Sequence, residues 1–456
     1  MTMTFITGEQ LGLLTTPKEP RRQLNDLMNY LDSQNNGCLR VCALYGLRRT
    51  GKTTLLLQAI KKLLMQGVSA NEIGYFTGMK GDNFDDLYLE LEAHQELSYI
   101  FIDEIGFFAN FLKSGSYLYD TQVRLYGHKV VIAGTNLLAL YVAGKRTLYD
   151  RCDVIRVPYL SFYEHCRFVL QTDSPSFDQF KEYMKSGGLF QAPADIPDYV
   201  QTSITDSIVE LFHEQSENEV FVWLKPENET VDWKGYVNTA LFLSSNYVSN
   251  KSFQMPVSLI QDFEVLDAQI SKQVARDFKE YFSLNRTDRG YRMKRTETVA
   301  LLDFLVDCGV ITVLPNLYED TEPYKCYVQA PFLRFHFTEK LRKMTDAQIM
   351  DEHKPLFGDL LEAAVVSEYQ QSHKDANIRF ARTHCPPGGE LVAEIDLIDL
   401  GEKRAFEVKL TDGASYKGFS LLSERRELKG FTFTLLEGEG CMRHIYQWGK
   451  SLYRNG

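Results

Sequence analysis

The sequence has no uninterrupted apolar run of about 18 residues, which is the length that a membrane-spanning helix needs. Its start, MTMTFITGEQLG, has neither a charged beginning nor an apolar core, so no secretion signal is predicted. Repeats and low-complexity tracts are absent, and aromatic residues make up 12% of the chain, which excludes a disordered class of protein. These absences predict a folded, cytoplasmic protein with no membrane partner.

Cysteine is scarce and scattered. The eight cysteines form no CxxC pair, and their density is too low for a disulfide scaffold. No group of cysteines and histidines has the spacing of a structural zinc site. The chain of 456 residues is therefore expected to be reduced and, at about 150 residues per domain, to form several domains with cores of their own.

Positive charge is also in short supply. The net charge is −11, which excludes a protein coated with lysine and arginine for nucleic-acid binding. Residues 401–456 differ, because they hold ten Lys or Arg residues against seven Asp or Glu residues. The basic residues of this block are either a local surface for phosphate groups or an ordinary solvated face; those considered are Lys417, Arg425, Arg426 and Lys429.

Short apolar segments alternate with helical patterns over residues 1–165, which predicts an α/β domain with a parallel sheet. Most of these segments are continuously apolar, as expected for strands covered on both faces. The predicted strands are 39–45, 73–76, 99–102, 129–133 and 154–157. A sheet of this kind binds ligands at the carboxyl ends of its strands.

Three further regions follow along the chain. Residues 166–260 are expected to be a helical lid or insertion, with helices at 177–186 and 206–213 and a short strand at 219–224. Residues 261–349 are compatible with a winged-helix-like module, with helices at 270–282 and 296–308 and a strand at 310–314. Residues 350–456 predict a small α/β domain, with a helix at 356–369 and strands at 391–400, 404–410 and 432–436.

The strongest motif is GLRRTGKT at 46–53, which matches the phosphate-binding pattern GxxxxGK[ST] between a predicted strand and a predicted helix. Glycines let backbone N–H groups approach phosphates, and the start of the helix adds partial positive charge. Lys52 is expected to reach the β- and γ-phosphates of ATP, and the Thr53 hydroxyl to bind Mg²⁺. The alternative, a glycine turn that only joins strand to helix, does not account for the complete motif. The residues expected to bind nucleotide are Gly46, Arg48, Arg49, Thr50, Gly51, Lys52, Thr53 and Thr54.

The predicted strand 99–102 is followed by Asp103 and Glu104. In an ATPase, the first acid would hold Mg²⁺ and the second would polarise the attacking water. The strand at 129–133 leads to Thr135 and Asn136, which are either sensors of the γ-phosphate or a simple helix cap. Arg151 is either an arginine finger or a surface charge beside two aspartates.

Four segments, YGLRRTGKTTLL, FIDEI, VIAGTN and DRCDVIRVPYLSF, resemble prokaryotic AAA-type ATPases that carry a C-terminal restriction-endonuclease-like PD-(D/E)xK domain of unknown function. The resemblance implies that Arg151 is a finger acting in trans, and therefore a homo-oligomer. The chain departs from the family pattern at Leu47, Gly106, Thr135 and Cys152. These departures weaken the sensor interpretation of Thr135 and Asn136.

The resemblance extends to the last block, where EID at 394–396 and EVK at 407–409 are similar to the nuclease core of that family. It implies that Asp396 and Glu407 converge on a second divalent ion, Mg²⁺ or Mn²⁺, with Glu362 completing the metal site. Lys409 would then orient or deprotonate the attacking water. An EVK triplet at a strand end also arises by chance, so the alternative is an ordinary strand.

Three hypotheses of function result. The first is an ATPase that couples its exchange of ATP and ADP to a C-terminal domain directed at DNA or another nucleic acid. The second is a nucleotide-dependent switch or interaction protein, in which the nuclease-like domain cuts nothing. The third, a small-molecule nucleotide hydrolase or kinase, leaves most of the chain after residue 165 without a role.

Overall fold

In the computed structural model, eleven stretches of the chain are described, and the chain forms two compact units. The first unit contains Met1–Tyr159, Leu189–Glu214 and Tyr453–Gly456, and the second contains Leu160–Gly188 and Gln215–Leu452. The described residues are 3–17, 19–33, 39–134, 148–191, 199, 311–318, 324–330, 354–374, 376–385, 390–410 and 417–453. Among the helices within these stretches, none is both long enough and apolar enough to cross a membrane.

The first unit is built on a six-stranded sheet. Its strands are β1 (Thr4–Ile6), β2 (Val41–Tyr45), β3 (Ile73–Thr77), β4 (Tyr99–Asp103), β5 (Lys129–Ala133) and β6 (Cys152–Arg156). The spatial order is β1-β3-β4-β5-β2-β6, in which β2 to β6 run parallel and β1 pairs antiparallel with β3 at one edge. All five predicted strands are therefore present, with ends that shift by at most two residues. β1 was not predicted, because three residues at a sheet edge leave no pattern.

Helices surround this sheet. They are α1 (Gln23–Asp32), α2 (Lys52–Met65), α3 (Phe84–Ala93) and α4 (Phe111–Ser114), with 3-10 turns at Gly8–Leu13, Ala70–Glu72 and Ile105–Phe107 and a π-helix at Leu118–Val123. β2 and β5 are buried throughout, which explains their continuous apolar runs. Leucines of α1 and α2 share one core with these strands, among them Leu27, Leu55 and Leu56, which are at most 1% exposed. The sheet and the two helices therefore hold the loop between β2 and α2 in a fixed place.

The second unit contains a small sheet and its own helices. Its elements are α5 (Phe162–His165), which continues as a π-helix at Cys166–Leu170, α6 (Phe177–Ser186), β7 (Ile311–Pro315), β8 (Tyr324–Val328), α7 (Lys354–Ser372), β9 (Ile378–Cys385), β10 (Glu390–Asp399), β11 (Arg404–Lys409), α8 (Lys417–Ser423), a 3-10 turn at Arg426–Leu428, β12 (Thr432–Glu437) and α9 (Glu439–Ser451). The sheet order is β12-β11-β10-β9; β10 is antiparallel to both neighbours, whereas β11 and β12 are parallel. β7 and β8 form a separate antiparallel hairpin.

Two apolar groups stabilise this small sheet. The Tyr369 ring of α7 meets Phe406 of β11 and Trp448 of α9, with ring centres 5.4 and 5.0 Å apart respectively. A second cluster joins Ile395 and Ala405 of the sheet to Leu422 and Leu428. The predicted strands near residues 391, 404 and 432 are confirmed as β10, β11 and β12, whereas β8 and β9 were missed.

Glu368 explains why Leu160–Gly188 belongs to the second unit. Its buried carboxylate accepts hydrogen bonds from the Phe162 backbone N–H, at 3.2 Å, and from the Tyr183 hydroxyl, at 2.5 Å. The segment after β6 is thereby attached to α7. The sequence-based domain boundaries instead divide this segment at residue 165.

Much of the predicted middle of the chain lies outside the described residues. The helices expected at 206–213, 270–282 and 296–308 and the strand expected at 219–224 are among these. The helix expected at 177–186 is present as α6, and the strand expected at 310–314 is β7. The winged-helix module is not confirmed.

Candidate functional site

The loop between β2 and α2 has a backbone that depends on glycine at two positions. Gly51 has a φ of +94°, and a Cβ atom placed on it would lie 2.7 Å from Cε2 of Phe190. A Cβ atom on Gly46 would lie 2.1 Å from the Val157 carbonyl oxygen. Arg49 adopts a left-handed φ of +63° without being a glycine. The local conformation therefore allows only glycine where the loop passes closest to its neighbours.

Lys52, the first residue of α2, folds back over this loop. Its Nζ atom donates to the carbonyl oxygens of Gly46 and Leu47, each at 2.8 Å, and the residue is only 5% exposed. Burial lowers the pKa of Lys52 to about 8, although the nearby carboxylates of Glu104 and Asp103 act in the opposite direction. The loop is thus closed around a buried ammonium group.

Arg21, which sequence reasoning missed, also holds the loop. Its guanidinium donates to the carbonyl oxygens of Thr50 and Pro158, both at 2.8 Å, and to that of Tyr159 at 3.4 Å. Arg21 is only 3% exposed. It belongs to no motif, so the sequence carried no signal for it. On the other side of the loop, the Tyr199 hydroxyl donates to the Arg48 carbonyl oxygen at 2.6 Å.

Asp103 ends β4 within reach of the loop helix. It is 2% exposed, and its carboxylate accepts the Tyr75 hydroxyl at 3.2 Å and the Glu104 backbone N–H at 3.0 Å. Burial raises the pKa of Asp103, while a hydrogen bond from the Thr53 hydroxyl lowers it. Thr53 and Asp103 therefore lie side by side, as the two oxygen donors of a magnesium site would.

Glu104 follows with a left-handed φ of +53°, which turns the chain sharply at the end of β4. It is half-buried and close enough to Lys52 to affect the pKa of that lysine. β5 lies between β2 and β4, and Gly134, the residue after β5, lies beside Ile105 and Gly106. Thr135 and Asn136, the expected sensors, lie outside the described residues.

Arg151 lies at the amino end of β6. Its guanidinium pairs with Asp120 at 3.2 Å and stands 5.3 Å from the centre of the Tyr119 ring, and the side chain is 41% exposed. The loop begins at Gly46, at the carboxyl end of the same sheet, about 20 Å away along the strands at about 3.3 Å per residue. Arg151 does not approach the loop of its own chain.

The second unit brings carboxylates together around a lysine. Lys325 of β8 places Nζ 2.7 Å from Oε1 of Glu362 and 3.4 Å from Oδ1 of Asp396, and it also pairs with Glu394. One carboxylate oxygen from each of the three acids lies within 4.8 Å of the others. The structure thus joins Glu362 of α7 to Asp396 of β10, two residues that the resemblance placed in one cluster. We call Glu362, Glu394 and Asp396 the acidic triad.

Glu407 and Lys409 form a pair beside the triad. The Lys409 ammonium binds the Glu407 carboxylate, and Asp396 accepts the backbone N–H of Val408 at 2.9 Å. Burial raises the pKa of Glu407 to about 7, against the lowering effect of Lys409. Glu407 is not one of the acids whose oxygens converge within 4.8 Å, so it lies next to the triad rather than within it.

Sequence reasoning named neither Glu394 nor Lys325 as a site residue. A signal existed for Glu394, because residues two apart in a strand point to the same face and Asp396 was already a candidate. The sequence contained no indication of three other residues at this site, because no motif surrounds them and the fold alone brings them to the triad. These residues are Lys325, Arg382 and Tyr327. Arg382 pairs with Glu394 at 2.5 Å, and the Tyr327 hydroxyl donates to Glu362.

The first unit has the architecture of a P-loop nucleotide-binding domain, because a buried parallel strand, a glycine loop and a helix present lysine and threonine to the acid that ends a neighbouring strand. A model of the AAA domain family, AAA_14, matches residues 39–166. This match agrees with the AAA-type domain that the sequence analysis expects over residues 1–165.

Several solved structures are similar to the chain at low identity. The Walker-type ATPase PABY2304 of Pyrococcus abyssi is 14% identical, with 70% of this chain and 96% of that chain covered and a TM-score of 0.35. The Aeropyrum pernix ORC1 protein in complex with DNA is 13% identical, with 73% and 94% covered and a TM-score of 0.25. The S. cerevisiae Hsp104–ADP complex is 15% identical, with 80% and 46% covered and a TM-score of 0.26. A comparison with curated proteins gave no match.

Proposed function

We propose that the first unit binds and hydrolyses ATP with Mg²⁺, and that its nucleotide state controls the second unit. The observation that supports this proposal is the meeting of Lys52, Thr53 and Asp103 at one edge of the parallel sheet. Each side chain offers the group that a phosphate or a magnesium ion requires. The proposed location of the protein is the cytoplasm.

Each residue of this site has a distinct proposed role. The Lys52 ammonium, which binds two loop carbonyls, would turn to the β- and γ-phosphates of the substrate. Thr53 and Asp103 would hold Mg²⁺, which neutralises phosphate charge when it is bound. Glu104 would orient the attacking water, and its position after the buried strand end supports this role.

The test compares Lys52→Ala with Glu104→Gln. Lys52→Ala should abolish tight binding of Mg·ATP, because the charge that meets the phosphates is lost. Glu104→Gln should keep ATP binding and lose turnover, because only activation of water is removed. Binding is measured by calorimetry, and hydrolysis by release of phosphate.

Lys62→Ala is the matched control, since Lys62 lies on the same helix but is exposed to solvent. It should bind and hydrolyse ATP like the unmodified protein. Unchanged ATP affinity in Lys52→Ala would sink the assignment of the loop, and native turnover in Glu104→Gln would remove that residue from catalysis.

For the second unit we propose a nucleic-acid-directed, nuclease-like role. The convergence of Glu362 and Asp396, on a helix and a neighbouring strand, supports this role. Exposed basic residues in one short turn, Arg425, Arg426 and Lys429, offer contacts for phosphates, although Glu424 precedes them and Glu427 lies between them. Binding of DNA, with Mg²⁺- or Mn²⁺-dependent cleavage that Asp396→Asn removes, would support an active nuclease.

The second candidate is a switch or interaction protein whose nuclease-like domain cuts nothing. One specific observation favours it: the centre of the acidic triad holds the ammonium group of Lys325. DNA binding without metal-dependent cleavage would support this candidate. Both candidates assume the same proposed domain boundaries, after residues 165, 260 and 349.

A further inference from the structure

Carboxylates from two different elements surround Lys325. Its ammonium contacts Glu362 from α7 and both Glu394 and Asp396 from β10. The side chain is 15% exposed, and Nζ lies 5.6 Å from the centre of the Phe380 ring of β9. Such a place suits a cation, because carboxylates and aromatic faces both attract positive charge.

The same oxygens are those a divalent ion would need. Mg²⁺ binds carboxylate oxygens at about 2.0–2.1 Å, and Ca²⁺ at about 2.3–2.6 Å. Nζ of Lys325 already lies 2.7 Å from the Glu362 oxygen and 3.4 Å from the Asp396 oxygen. A metal bound by the triad would therefore overlap the ammonium or face its repulsion at very short range. With Lys325 in place, the acidic triad does not fit a divalent ion.

Protein charges nearly balance this cluster without any metal. The acidic triad and Glu407 carry four carboxyl groups, and Lys325, Arg382 and Lys409 supply three positive charges. Burial, with Glu362 and Glu407, raises the pKa of Asp396. Against burial, Lys325 and Arg382 together lower the pKa of Glu394 to about 2.

The hairpin that carries Lys325 is firmly attached. Thr312 of β7 donates to Gln370 of α7 at 2.5 Å. Asn316, just after β7, exchanges two side-chain hydrogen bonds with the backbone of Arg382, each at 3.2 Å. Leu317 donates its backbone N–H to Phe380 at 2.7 Å. Lys325 is therefore held in the cluster by the fold of the unit.

We infer that Lys325 is the resident cation of the acidic triad and that it excludes a divalent metal from this site. This inference rests on the proposed function and decides between its two candidates. The second unit then works without metal, as a module that binds a partner and does not cut nucleic acid. A lysine on the β7–β8 hairpin, far along the chain from the EID and EVK triplets, decides this outcome.

The experiment titrates Mn²⁺ itself into nucleotide-free, full-length protein and measures free Mn²⁺ by electron paramagnetic resonance. The unmodified chain should bind no more Mn²⁺ than Asp396→Asn does. Lys325→Met should gain one Mn²⁺ site, and adding Asp396→Asn to it should remove that site. Lys325→Met has nearly the length of the native side chain but no charge, so it opens the triad without leaving a large cavity.

A gain of one site in Lys325→Met, lost in the double variant, supports the inference. Mn²⁺ binding by the unmodified chain that Asp396→Asn abolishes overturns it, as does Mn²⁺-dependent DNA cleavage that Asp396→Asn abolishes. If Lys325→Met does not fold, the comparison of the unmodified chain with Asp396→Asn decides alone, because asparagine keeps nearly the shape of the aspartate side chain but carries no charge. The Mn²⁺ titration contains no nucleotide, so its result does not depend on ATPase activity. Failure of the ATPase proposal would be detected in the separate measurement of phosphate release.

Discussion

Lys52 has to keep a charge in a place that disfavours charge. Its ammonium is buried and is stabilised by two backbone carbonyl groups and by nearby carboxylates. Burial lowers the pKa of Lys52 to about 8, so the nucleotide-free protein loses this proton at mildly alkaline pH. A phosphate ligand favours the charged form, so its binding raises that pKa again.

ATP affinity should consequently fall as the pH rises above 8. The sign follows from linkage: between the free and the bound pKa, binding requires uptake of one proton, so affinity declines by up to about tenfold per pH unit. The measurement is calorimetric titration of Glu104→Gln with Mg·ATP from pH 7 to 9.5, where turnover does not interfere.

Lys52→Arg is the control for this pH series, because a guanidinium keeps its charge over the whole range. It is expected to bind more weakly at pH 7 but with little pH dependence. An affinity of Glu104→Gln that stays constant up to pH 9.5 would show that Lys52 keeps its proton and that the argument from burial is wrong.

At the scale of single elements, α9 shows how packing determines where a residue can change. Gly449 of α9 lies against α5, and a Cβ atom on it would stand 2.5 Å from Cβ of Tyr163. Gly440, in the first turn of the same helix, has no atom within 4 Å of such a Cβ. One helix thus offers a crowded and an open glycine.

Gly449→Ala should destabilise the protein by about 1–3 kcal/mol, because the added methyl group forces α9 away from α5. Gly440→Ala should instead stabilise it by about 0.5–1 kcal/mol, because alanine loses less backbone entropy in a helix. Urea unfolding followed by circular dichroism measures both. Equal effects of the two substitutions would contradict the close contact between these helices.

For the whole molecule, Arg151 raises the question of assembly. It lies at the opposite end of the sheet from the loop of its own chain and is paired with Asp120. If it serves catalysis at all, it must do so from a neighbouring copy. Its 41% exposure leaves it accessible for such a contact.

Mixing Arg151→Ala with Lys52→Ala protein should therefore restore part of the ATPase activity that each variant lacks alone. Some interfaces in the mixture regain both an intact loop and an intact arginine, and an arginine finger contributes about 10³–10⁵ in rate. Steady-state phosphate release measures the rescue. Mixing Arg151→Ala with the Lys52→Ala, Arg151→Ala double variant is the control, and it should stay inactive.

No rescue, together with a monomeric native protein in sedimentation, would leave Arg151 as a surface charge. Arg124→Ala offers a second control, because Arg124 is an exposed arginine of the same unit. It should retain full activity by itself.

The sequence by itself determined the parts of this protein that are local. The phosphate-binding loop, the acid pair at 103–104 and the buried strands could be predicted because their residues are adjacent in the chain and their periodicity reflects burial on both faces. The prediction of an AAA-type domain was based on these segments. The helix α6 was placed correctly for the same reason, since its apolar stripe and its capping residues lie within ten positions.

Only the tertiary structure decided the contacts between distant segments. Arg21 reaches the loop, Glu368 attaches the segment after β6, and Lys325 enters the acidic triad, each through backbone that no short pattern describes. The residues of a carboxylate cluster look the same in the sequence whether a metal ion or a lysine compensates their negative charge. Which cation is present depends on where a hairpin 37 residues from Glu362 packs, and packing of that kind is set by the whole fold.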